Sequence, residues 1–223
     1  MKKFKIPSKK SIAFILVTLI FGLFAGMTIA IEEPKYTVIK KSDDIELRSY
    51  EPKIIAEVQI EGTMKQASTK GFRLIADYIF GNNTAPDGDN TKISMTAPVT
   101  MESEARSEKI SMTAPVTMEQ QKGQSNNQWR MHFVMPSEFN MQTLPKPNNP
   151  LVNIRQISNK NYAVIRFSGF SGSEKVEEKT KILLAWMQKN DLESIGQPEL
   201  ARYNAPITPP FLRRNEVMIS YSN

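Results

Sequence analysis

The 223-residue chain has no cysteine, which excludes disulfides, thiolate zinc sites, iron–sulfur clusters, cysteine nucleophiles and lipid attachment through cysteine. It has one histidine, His132, so a two-histidine metal site is excluded and a histidine relay is confined to that position. Acidic side chains are missing from residues 1–31, where Lys2, Lys3, Lys5, Lys9 and Lys10 gather. Those lysines supply most of the net charge of +6, leaving the remainder close to neutral, without the basic footprint of a nucleic-acid partner. No nucleophile–base pair or paired-carboxylate motif stands at a recognisable spacing, so no catalytic residue is assigned and an enzyme is the weakest class.

Long apolar runs are also absent, with one exception. Ile12 to Ile31 carries no charge over 20 residues, and a helix of that length, at about 1.5 Å per residue, spans a hydrocarbon core of roughly 30 Å. The lysine-rich flank and the abrupt change to Glu32-Glu33-Pro34 mark a signal anchor over residues 1–31, separate from a domain over residues 32–223. The run exceeds the roughly 7 to 15 residues of a signal-peptide core, which favours an uncleaved transmembrane segment. The positive end stays in the cytoplasm, placing the domain on the outer, extracytoplasmic side. Cleavage at Thr28-Ile29-Ala30 would instead release it as a secreted protein.

Within the body, Tyr36 to Ile60 alternates as strands around a turn at Ser42-Asp43-Asp44, and Thr63 to Phe80 has the three-to-four spacing of a helix. An exact duplication follows: KISMTAPVTME occurs at Lys92–Glu102 and again at Lys109–Glu119, 17 residues on. Each copy alternates along its length and reads as a half-buried strand, and Pro98 and Pro115, lacking ladder donors, argue against a fully central place. Trp129 to Met135, Val152 to Ile157, Tyr162 to Phe167, Leu200 to Tyr203 and Glu216 to Tyr221 complete the strands. A second helix is expected over Ser173 to Asn190, with Ser171 and Glu174 as a capping box. Two similar halves, each a strand, a helix and two extended segments, give an α+β domain whose antiparallel sheet is strongly curved and carries two helices.

The doubled KISMTAPVTM resembles the SOUL haem-binding family, as do Tyr162-Ala163-Val164-Ile165-Arg166-Phe167-Ser168-Gly169-Phe170-Ser171, Ala201-Arg202-Tyr203-Asn204-Ala205-Pro206 and Pro209-Pro210-Phe211-Leu212-Arg213-Arg214-Asn215-Glu216-Val217. Ile45-Glu46-Leu47-Arg48-Ser49-Tyr50 and Phe133-Val134-Met135-Pro136 extend the likeness over Tyr36 to Tyr221, nearest to the bacterial and plant branch. The resemblance implies a distorted antiparallel β-barrel with two helices, built from a duplicated βαββ unit similar to gyrase-inhibitor-like domains. It also implies non-covalent binding of haem or another tetrapyrrole, in a binding or carrier role without catalysis. By the same resemblance the ligand would lie on a shallow surface of the first helix and the loop before the last strand. Here that means Phe72, Ile75 and Ile79 with Pro209, Pro210 and Phe211, and Arg73, Lys70, Arg213 or Arg214 meeting the propionates. Where some members carry a histidine proposed as iron ligand, this chain has Ser49, so the resemblance assigns no axial ligand.

The residues also support plainer readings. His132 lies on the strand face opposite Trp129, Met131 and Phe133, as a surface or rim histidine would. Met95, Met101, Met112 and Met118 alternate with small polar residues, as gap-filling core methionines do. Periodicity alone does not separate a binding patch on the first helix from its core face, and exposed arginines are solvated by default. The alternative function is a module for another amphipathic small molecule or a protein partner.

Overall fold

In the computed structural model, which describes residues 31–103 and 128–222, three strands come first: β1 (Tyr36–Ser42), β2 (Ile45–Tyr50) and β3 (Lys53–Glu61). Asp43, at a φ of 51°, turns β1 into β2; aspartate tolerates this left-handed conformation because its short side chain bonds locally. Helix α1 (Met64–Ile79) starts at Thr63, whose side chain accepts from the Gln66 amide while the Gln66 side chain accepts from the Thr63 amide. Then follow β4 (Asn83–Thr84), β5 (Val99–Ser103), β6 (Gln128–Val134), β7 (Lys146–Pro147), β8 (Asn153–Ile157) and β9 (Lys160–Phe167). Helix α2 (Ser173–Lys189), β10 (Glu193–Ser194), β11 (Glu199–Arg202), a 3-10 turn at Pro210–Leu212 and β12 (Asn215–Ser222) complete the order.

Every strand pair is antiparallel, and the main sheet runs β1-β2-β9-β12-β11-β5-β6-β3-β8, with β10 also on β12 and β4 on β7. Outward from the β11–β5 seam the two sides correspond strand for strand, except that β1 extends one edge without a counterpart. β9, β12 and β11 mirror β3, β6 and β5, which is the duplicated βαββ plan in space. Each half buries its own helix on one face of the curled sheet. Ala67, Ile75, Tyr78 and Ile79 of α1 join Val58, Met131 and Phe133, whereas Leu183 and Met187 of α2 join Ile165, Leu200, Val217 and Ile219. Met64 packs against both cores.

Several sequence expectations change. The alternation drawn through the first repeat copy holds only from Val99. Before it, Met95 is exposed and Thr96 buried, because the Ile93 and Ala97 amides donate to Ile79 O and Glu32 O instead of a neighbouring strand. β5 is also interior, between β11 and β6, with Pro98 just outside the ladder so that no donor is lost. Gly172 caps α2 without a side chain, since the Ser171 hydroxyl accepts from Arg202. The second repeat copy lies outside the described residues, as does the expected membrane segment apart from Ile31. Among the described residues no helix is long and apolar enough to cross a membrane.

Gly71 permits the close approach of α1 to the sheet. A Cβ there would stand 2.7 Å from Ile60 Cδ1 and 2.9 Å from Met131 Sδ. Gly71→Leu should therefore destabilise by about 1–3 kcal/mol through overpacking. Gly71→Ala should be near neutral, because a helix gain of about 1 kcal/mol offsets a contact that two side-chain ends can relieve. Urea unfolding checks this, and equal stabilities for the two variants would refute it.

The stretch from Glu32 to Lys35 is tied down along its length. Glu32 accepts from the amides of Ala97 and Ser137, Glu33 pairs with Arg214 at 3.0 Å, and Lys35 O accepts from the Glu51 amide. These contacts reach both halves of the sheet.

Candidate functional site

On the helix-bearing face, strand register sets Phe167, Asn215, Arg202, Val99 and Phe133 in one row across β9, β12, β11, β5 and β6. Arg202 and Val99 straddle the seam where the halves meet. Above Arg202 lies a cleft of about 710 Å³, within the range of roughly 300 to 1,000 Å³ for ligand sites. Its walls are the first turns of α1 with Met64, Lys65 and Ser68, the loop Phe170–Ser173, and Asn204, Pro206 and Arg213 from the loop before β12.

Among the described residues no carboxylate lines this cleft, although Lys65, Arg202 and Arg213 all do. Arg202 is half-buried and, among the described residues, bonds only neutral oxygens: Ser171 Oγ at 2.9 Å, Ser68 Oγ at 2.8 Å and Ser171 O at 3.4 Å. Burial lowers its pKa, since removing a cation from water favours the neutral form. Arg213 donates to the carbonyls of Thr208 and Pro206 and lies over the Phe170 ring. Phe170 in the cleft wall is 69% exposed, and the loop before β12, which also supplies Pro206 and Arg213 to the wall, carries the exposed apolar side chains Ile207 (93%), Phe211 (74%) and Leu212 (62%). Gly169 donates to Pro210 O, which joins the two loops that carry these side chains.

The opposite face of the sheet curls in on itself and buries a polar network. Glu216 accepts a bidentate pair from Arg48 at 2.8 and 3.1 Å, a bond from Tyr203 Oη at 2.6 Å and another from Arg214 Nε at 3.0 Å. Burial alone would raise the Glu216 pKa, but the Arg48 bonds and charge, with Tyr203 and Arg214, hold it below the usual carboxylate range. Nearby, Glu199 accepts from Tyr162 Oη at 3.0 Å, and burial raises its pKa. His132 sits on this same face as the pattern foretold, yet it is buried rather than at the surface or rim. Desolvation, reinforced by Lys53, Arg155, Arg130 and Lys160, holds its pKa down at about 3.

The chain matches the family described as SOUL heme-binding protein over residues 31–107 and 101–220. It belongs to the SOUL haem-binding family. A comparison with curated proteins finds no match. Among solved structures, the SOUL-family chain is similar to the EcmrR C-terminal domain, at 11% identity and a TM-score of 0.56, covering 84% of this chain and 98% of that one. An uncharacterized conserved protein from Listeria innocua matches at 10% identity and a TM-score of 0.54, over 87% and 94% of the two chains. A hydrolase from Listeria innocua matches at 8% and 0.51, over 82% and 94%. At these identities the likeness shows the α+β curled-sheet fold and nothing of function.

Seen on this SOUL-family fold, the residues expected to form the ligand surface scatter. Ile75 and Ile79 are 0% and 1% exposed beneath α1 and belong to the core, because that side of the helix rests on β3 and β6. Phe72 is partly exposed, but its ring packs against Phe133 at 5.5 Å. Arg73 and Lys70 line an open groove elsewhere along α1 with Glu61 and Asp77. Pro209 and Pro210 build the turn that presents Phe211, and Phe211 faces a neighbouring hollow with Phe167, Lys175, Arg213 and Arg214. Arg214 is not solvated: it pairs with Glu216 and Glu33 and stacks on Tyr203 at 3.7 Å. Arg213, bonded into its own loop, is the expected residue that lines the 710 Å³ cleft. Arg202 was missed, although an arginine sharing a strand face with Leu200 is a signal that alternation alone could have raised.

Proposed function

We propose that this protein binds haem or a related tetrapyrrole, non-covalently and without catalysing a reaction, in the cleft over the β11–β5 seam. The observation that carries the reading is the cleft itself: a floor that, among the described residues, is cationic and free of carboxylates, walled by the exposed Phe170 and adjoined by the exposed apolar side chains Ile207, Phe211 and Leu212 on the loop before β12. A flat macrocycle with two propionates needs that combination, and family membership supplies the ligand class. Arg202, Lys65 and Arg213 would face the carboxylates, while Phe170 and its neighbours would cover the ring. The bound group would contribute its own iron chemistry. No histidine of this chain meets it there, because His132 is buried on the other face of the sheet. We further propose that residues 1–31 tether the domain to a membrane on its outer side, on the strength of the uncharged run from Ile12 to Ile31.

Titration of the full-length protein in detergent with haemin should give a Soret shift that saturates at about one equivalent. His132→Leu should leave that affinity within about threefold, an energy of order 0.7 kcal/mol. An absent Soret shift, alongside saturable binding of an apolar dye, would point to a different amphipathic ligand. Loss of the shift in the His132 variant would move the site to the concave face.

A further inference from the structure

We propose that Arg202 reads a free carboxylate of the ligand, so that the cleft selects tetrapyrroles with ionised propionates over their esters; the proposal rests on the cleft being the tetrapyrrole site. Arg48, Arg130, Arg155 and Arg214 each have a carboxylate within ion-pair distance, at 2.8, 2.8, 2.9 and 2.9 Å for the shortest pair of each. Arg202 does not: among the described residues its partners are two serine hydroxyls and a carbonyl. A half-buried guanidinium whose charge meets no counter-charge is costly to keep, and an incoming anion removes that penalty. The donors are already assembled for one. The Ser68 and Ser171 hydroxyls accept from Arg202, which leaves each O–H free to donate into the cleft. Lys65 adds a second cation from α1, and among the described residues no acidic side chain lines the cleft to oppose them. An esterified propionate keeps its carbonyl acceptor but loses its charge, so it forfeits the charge-assisted bond and leaves the guanidinium as it was. The two serines that hold Arg202 come from different halves, Ser68 on α1 and Ser171 before α2, so the fork is fixed from both sides of the seam.

The test compares haemin with haemin dimethyl ester, each titrated into full-length wild type, Arg202→Gln and Lys65→Gln and followed by the Soret band. Wild type should prefer haemin by roughly tenfold or more, the factor of one charge-assisted hydrogen bond. Arg202→Gln should lose that preference through weaker haemin binding, with ester affinity unchanged within about twofold; Lys65→Gln should reduce it in part. Equal wild-type affinity for the two ligands would overturn the proposal while leaving tetrapyrrole binding intact. So would an Arg202→Gln variant that weakens both ligands alike, since Arg202 would then only shape the cleft. No Soret change with either ligand would instead remove the tetrapyrrole reading itself. If Arg202→Gln does not fold, the wild-type comparison still decides, and Arg202→Lys, which keeps the charge, should retain the preference.

Discussion

Glu216→Gln is expected to destabilise the domain by about 3–5 kcal/mol, the loss associated with removing one member of a buried ion pair. The side chain is 0% exposed, and its two oxygens meet Arg48, Arg214 and Tyr203. Glutamine preserves the shape and one acceptor, but Arg48, itself 2% exposed, would keep only the part-buried Glu46 as a counter-charge. At roughly 2–4 °C per kcal/mol for a domain of this size, the melting temperature should fall by about 10 °C. The double replacement Glu216→Leu with Arg48→Met should recover part of the loss, because a well-packed apolar pair can replace a buried ion pair at little cost, while the Tyr203 hydroxyl stays without its Glu216 acceptor. A single variant within about 1 kcal/mol of wild type would show that the network contributes little.

The second large effect is a loss of stability in mild acid that traces to His132. The side chain is 5% exposed, its Nδ1 has no partner, and its pKa is held at about 3, first by desolvation and then by the surrounding cations. In the unfolded chain it takes a proton near pH 6.5, so between pH 6.5 and about 3 the unfolded state binds the proton and the folded state does not. The stability this neutral histidine permits is therefore present above pH 6.5 and falls with pH, by up to about 1.4 kcal/mol per unit. Glu216, with its lowered pKa, loses its contribution only below about pH 4.5. Glu199, with its raised pKa, works in the opposite direction, its contribution lost as pH rises. Urea unfolding of wild type and His132→Leu at pH 7, 6 and 5 should therefore give curves that diverge steadily as the pH drops, with the variant the flatter. Parallel curves would mean that His132 is solvated or charged in the folded protein.

His132 also shows where sequence reading stops. Alternation placed it correctly on the face opposite Met131 and Phe133, and helix periodicity found α1 and α2 to within about a residue or two at each end. What a face meets depends on partners far along the chain. The concave side is buried because β2 pairs with β9 and β11 with β5, contacts separated by roughly a hundred residues that no local pattern encodes. The same limit moved Ile75 and Ile79 from ligand surface to core and placed Arg214 in the Glu216 network rather than in solvent. The cleft around Arg202 was illegible as a unit, since it exists only where the two halves abut. The family likeness, by contrast, survived in short strings such as the MTAPVT block and the segment ending at Asn215-Glu216-Val217.

The fastening of Glu32 to Lys35 has a mechanical consequence. Tension entering the domain at Glu32 meets four separate attachments before it reaches β1, at Ala97, Ser137, Arg214 and Glu51. Through Arg214 that load passes to Glu216 on β12 and on to Arg48 on β2, so it is shared between two interior strands rather than peeling one edge. A pull from this end therefore works against the best-braced part of the sheet, and the outer edge of β1, whose Val38 and Ile39 are exposed, is shielded from being stripped first.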